Sequence, residues 1–141
     1  IICRDSDNQS HKKHYHKHAT RKKAYNQRTW ANRQVYSSKI ADKKSNRGVP
    51  DNYIYPERLV FMRKIQDSKC IYCKCDMQTD NRRAPDGLTI ERIWNDLPHT
   101  IPNCVLCCAY CNRRTTRMGN YKKYPIINYC FRELLVKANR L

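Results

Sequence analysis

Two Cys-x-x-Cys pairs, Cys70–Cys73 and Cys108–Cys111, constrain this chain more than any other feature, with 34 residues between Cys73 and Cys108. A Cys-x-x-Cys loop brings two thiolates to the geometry of one tetrahedral metal, and two such loops close a four-cysteine site of the structural zinc kind. Cys104-x-x-Cys107 is a second formal pairing. On a strand, however, residues three apart point to opposite faces. Cys108 and Cys111 instead straddle a strand-to-helix corner, so structural Zn2+ is expected at Cys70, Cys73, Cys108 and Cys111. Cys75, Cys104 and Cys107 read as small buried apolar residues.

A metal staple suits the composition. The 141 residues are only 40% hydrophobic, so one compact domain with extensions and a small core is expected. The cysteine count, nine, is odd, which argues against a secreted disulfide scaffold and for metal in a reducing intracellular compartment. Heavy use of Lys, Asn, Ile and Tyr is that of AT-rich genomes, as in viruses and organelles. The first residues are Ile1-Ile2-Cys3, as expected of a processed or partial chain. The net charge is +17, and residues 1–50 hold 13 Lys and Arg against 3 acids. Such a balance calls for a polyanionic partner, nucleic acid first. No long apolar run is present, which argues against a membrane partner.

The periodicities predict an α+β chain with a basic arm and helix over 1–52 and a zinc domain over 53–141. Residues 1–20, with the tract His11-Lys-Lys-His14-Tyr-His16-Lys-His18, read as a solvated basic arm; a metal-binding tract is the other reading. Residues 19–44 lack Pro and Gly and read as a helix on which Tyr25, Tyr36 and Ile40 share a face, with Thr29 and Asn32 between them. A helix is expected from Glu57 to about Ser68, with Leu59, Val60, Phe61 and Met62 near its start and Ile65 later as core. Leu88 to Ile93 alternates as a short strand. Cys104 to Cys107 is the returning strand, and Cys108 to about Met118 a helix. Pro125 should open a last helix with a stripe of Ile127, Cys130, Phe131, Leu134 and Ala138.

Between the knuckles the order Leu88-Thr-Ile-Glu91-Arg92-Ile93, Pro98-His99, Asn103-Cys-Val and Cys108-x-x-Cys111-Asn112 resembles the HNH nuclease family over roughly residues 68–118. The resemblance implies a zinc-stapled, treble-clef-like ββα-metal fold. It implies that Glu91 would ligate a catalytic Mg2+ or Mn2+, that Asn103 braces the loop between the strands, and that Asn112 helps hold the cation. The family's general base is a His at the end of the first strand. Arg92 stands there instead, and arginine stays protonated at any working pH, so it cannot take a proton from water but could clamp a phosphate. His99 is then the candidate base; its other reading is a loop residue bonded to nearby backbone.

Phosphate contact is expected on Arg21, Lys22, Lys23 and Arg28 of the first helix. A second cluster is Arg113, Arg114, Arg117, Lys122 and Lys123, in a stretch without an acid from Leu97 to Arg132. Two functions follow. One is an HNH-type metal-dependent endonuclease acting on DNA, with RNA as the other substrate class. The other is a degenerate HNH-derived zinc module that binds nucleic acid as a structural part of a virion or ribonucleoprotein assembly.

Overall fold

The computed structural model describes residues 3–116 and 118–139; the side chains of Cys3–His11, Lys13–Tyr15, Asn120–Lys122, Phe131 and Leu134–Asn139 lie outside the description. Helix α1 spans Cys3–Lys44, α2 Pro56–Ile65, α3 Ala109–Thr115 and α4 Asn120–Asn139; strands β1 Leu88–Arg92 and β2 Cys104–Cys108 form one antiparallel hairpin. The architecture is α+β.

Helix α1 begins at Cys3, not near residue 19. The expected arm over 1–20 is therefore helical where it is described. Nothing in the segment breaks a helix, since it holds no Pro or Gly. Its inner face is also not the one the tyrosines suggested. Trp30, Ala31, Val35 and Asp42 are buried, whereas Tyr25, Tyr36 and Ile40 are exposed. The buried residues recur at intervals of one to seven along one side, which suits a helix laid across a core.

Pro56 opens α2, where its missing N–H leaves no donor unpaired. Leu59 and Met62 turn inward and Ile65 is half-buried, but Val60 and Phe61 lie on the solvent side, contrary to the expected cluster. Gln66 just beyond α2 is buried. Its amide donates to the Leu106 carbonyl at 2.9 Å and accepts from the Leu106 N–H at 3.0 Å. It thereby occupies the outer edge of β2, which would otherwise carry unpaired backbone groups.

The hairpin register pairs Leu88 with Cys108, Ile90 with Leu106 and Arg92 with Cys104. Every residue of β2 is buried. A single apolar cluster joins Trp30 and Val35 of α1, Leu59 and Met62 of α2, Leu88 and Ile90 of β1, Val105 and Leu106 of β2, and Ile127 and Cys130 of α4. The last helix starts five residues before Pro125, which lies inside it. Of the expected stripe, Ile127 and Cys130 are buried, and Phe131, Leu134 and Ala138 fall outside the described side chains. No helix among the described residues is long and apolar enough to cross a membrane.

Candidate functional site

Cys70, Cys73, Cys108 and Cys111 converge, with all four sulfurs within 4.8 Å of one another. Cys70 and Cys73 sit on a tight turn: the Lys74 N–H donates to the Cys70 carbonyl at 3.1 Å and the Cys70 N–H to the Cys75 carbonyl at 3.0 Å. Lys74 takes a positive φ of 64° to close it. Cys108 ends β2, and its Sγ accepts from the Cys111 N–H at 3.4 Å, so this residue also caps α3.

The donor set fits zinc. Sulfurs about 2.3 Å from a tetrahedral ion stand roughly 3.8 Å apart, and the Cys73 and Cys108 sulfurs are 3.8 Å apart. That separation is far beyond a disulfide bond. Burial pushes the Cys70 and Cys111 thiols up. Burial also acts on Cys73, but hydrogen bonds from Cys75 and the other cysteines outweigh it and bring its thiol to about 7. A bound cation would hold all four as thiolates. Cys75 stands beside the cluster, and burial with the Cys73 and Cys108 contacts raises its thiol to about 12. Cys104 and Cys107 lie in the core of β2, as expected.

On the other side of the hairpin, Glu91 is buried with every carboxylate oxygen engaged. Lys123 Nζ donates to Oε1 at 2.9 Å. Tyr72 donates its hydroxyl to Oε2 at 3.3 Å, and Thr115 donates to the same oxygen. Lys123 is fully buried and also donates to Asn95 Oδ1 at 2.7 Å. A surface role for Lys123 in phosphate binding is therefore corrected: its ammonium is an internal cation. Burial, and then the Glu91 carboxylate, push the Tyr72 hydroxyl well above its usual range. This site does not suit Mg2+ or Mn2+. Such ions need several oxygen ligands, and here the one carboxylate already meets an ammonium and two hydroxyls.

Arg92, half-buried, is engaged with the loop between the strands. Its Nη1 donates to the Leu97 carbonyl at 3.1 Å and to that of Asn95. Asn103 braces the same loop: its Nδ2 donates to the Trp94 and Pro98 carbonyls at 3.1 and 2.9 Å, and its Oδ1 accepts from the Trp94 N–H at 2.8 Å. Asn112 ties α3 to β1, donating to Thr89 Oγ1 at 2.9 Å and the Ile90 carbonyl at 3.3 Å.

His99 belongs to a different network. Its backbone N–H donates to Asp42 Oδ2 at 2.9 Å, and its Nδ1 lies 2.8 Å from the same oxygen. Tyr53 donates to Asp42 Oδ2 at 2.6 Å and Arg47 Nε to Oδ1 at 2.6 Å. Burial alone would raise the Asp42 carboxyl, but these four donors hold it well below the usual range. Burial lowers the His99 pKa, and Arg92 and Arg47 add to that, against the pull of the Asp42 carboxylate. Asp42, Tyr72 and Lys123 carry no motif. The one sequence signal for Asp42 is that it is the sole acid between Asp7 and Asp51.

Arg21, Lys22, Lys23 and Arg28 are exposed on α1, and Lys23 pairs with Asp80 at 3.4 Å. Arg113 and Arg114 are exposed on α3; Arg113 donates to the Arg83 carbonyl at 2.8 Å, and Arg114 lies over the Tyr110 ring. Arg117 lies outside the described residues, as does the side chain of Lys122. Among the described residues the four cysteines form the one metal-competent cluster. No family model, curated protein or solved structure matches the chain.

Proposed function

We propose that this chain is a nucleic-acid-binding module built on a zinc-stapled ββα unit of the HNH kind, with its catalytic position closed. The observation that carries this reading is the buried Glu91–Lys123 pair, 2.9 Å long. In an HNH nuclease the acidic residue of this strand would meet a divalent cation; here an ammonium from α4 neutralises it. The remaining family positions have structural work. Arg92 and Asn103 hold the loop between the strands, and Asn112 fastens the helix to the hairpin. The zinc ion would be held by Cys70, Cys73, Cys108 and Cys111 and would supply rigidity, not chemistry. The charge of +17 supplies the affinity for phosphate.

A second reading is an HNH-type endonuclease acting on DNA. It draws on one observation, the Asp42–His99 contact of 2.8 Å. A carboxylate at Nδ1 keeps the ring proton there and leaves Nε2 as the acceptor, as a general base requires.

The deciding experiment runs the zinc-loaded chain on supercoiled plasmid, single-stranded DNA and RNA with Mg2+, Mn2+ or chelator. Binding without strand scission under every metal is the expected result. Metal-dependent cleavage that disappears in His99→Ala would overturn the binding-module reading in favour of the nuclease.

A further inference from the structure

Three hollows that share wall residues lie along α1, with volumes of about 580, 370 and 470 Å³: the first against the loop of residues 79–83, the second against Arg82, Arg83, β1 and α3, and the third on α1 itself beside Arg82. Arg82 lines all three, Arg33 lines the first and third, and Arg83 the first and second. The channel is strongly cationic. Its acid, Asp80, is already paired with Lys23 at 3.4 Å. Arg33 spends one donor on Asn26 Oδ1 at 2.5 Å, and Arg82 spends one on Ser37 Oγ at 3.2 Å. A guanidinium has five donors, so these bonds orient the two forks and leave most of each for a ligand.

The third hollow has two tyrosines on its wall. Tyr25 is 53% exposed and Tyr36 68% exposed. They are 11 positions apart, close to three helical turns, so they face the same way about 16 Å from each other. Neither contributes to the core. Large aromatic faces held open to solvent beside fixed guanidinium groups match the combination that holds single strands: bases stack on rings while phosphates lie on cations. A duplex keeps its bases stacked on each other and offers these rings nothing.

We propose that this channel is the track for a single strand of DNA or RNA, with its bases on Tyr25 and Tyr36 and its phosphates on Arg33, Arg82 and Arg83. The proposal rests on the nucleic-acid-binding reading above and names its ligand. Readout is independent of sequence, because every base has a stackable face.

The test measures fluorescence anisotropy of the zinc-loaded full chain with oligothymidylate, oligouridylate and a mixed-sequence duplex over a salt series. The double variant Tyr25→Ala/Tyr36→Ala should lose roughly tenfold or more in single-strand affinity while its duplex affinity holds. Arg82→Ala should reduce the single-strand salt slope by about 0.7. All three positions are exposed, and circular dichroism with a melting curve checks that each variant is folded. Lys64→Ala, exposed on α2 and outside the channel, serves as the control. Single-strand affinity unchanged in the tyrosine variant, or a loss shared equally by the duplex, overturns the channel proposal alone. Failure of the unaltered chain to bind any of the three nucleic acids overturns this proposal and the binding function together.

Discussion

Lys123 and Asp42 are the residues on which the two buried polar networks turn. A buried ion pair contributes little compared with apolar residues of the same shape, but removing one partner strands a charge. Lys123→Met should therefore destabilise the chain by about 3–5 kcal/mol in urea denaturation. The double variant Glu91→Leu/Lys123→Met should recover much of that loss. The second network responds to pH. His99 has a folded pKa below its ordinary value, so the unfolded chain binds its proton first as pH falls. Stability from this group is complete above about pH 6.5 and declines as pH drops from there towards the folded pKa. Melting temperature should fall across this window more steeply in the wild type than in His99→Gln. The difference between the two curves is the quantity to read, because protonation of the cysteine cluster bends both.

At the level of elements, α1 is a clamp rather than an arm. Its outer face is cationic and aromatic, while its inner face buries Trp30, Ala31 and Val35 in the same cluster as α2 and the hairpin. The end of the helix is pinned a second time, through Asp42 to His99 and Tyr53. Trp30→Ala should cost about 3 kcal/mol, read from the denaturation midpoint. Phe61→Ala should cost far less, since Phe61 is exposed on α2. Equal losses would mean that α1 contributes nothing to the core. The hairpin and α3 were legible in the residues because their signals are local: alternation from Leu88 to Arg92 and a thiol that both ends β2 and caps α3. The extent of α1 was not, because a sequence without apolar periodicity looks like a solvated arm even when nothing in it opposes a helix.

For the whole molecule, a small apolar core and four converging thiols imply that folding and metal loading are one process. Chelation should abolish cooperative unfolding, and zinc should restore it. Cys111→Ser should reproduce the chelated state, as followed by near-ultraviolet circular dichroism. A Cys111→Ser chain with the wild-type melting curve would remove the staple from the account. Cys73→Ser should be milder, because the Cys75 thiol already stands against Cys73 and Cys108. Nucleic-acid affinity should fall steeply with salt in proportion to the phosphates neutralised.

The residues alone determined the cysteine frame, the hairpin between its halves and the surplus of positive charge, because spacing, alternation and composition act over a few positions or over the sum. Tertiary structure decided which charges face solvent and which face each other. Lys123 lies 32 residues from Glu91, and His99 lies 57 from Asp42. Each pair forms because a helix docks against the loop or strand of its partner, and no local pattern distinguishes a lysine that will meet water from one that will meet a buried carboxylate. The cationic channel is of the same kind: Arg33 and Arg82 stand 49 positions apart and share one cavity wall once α1 packs against the 79–83 loop.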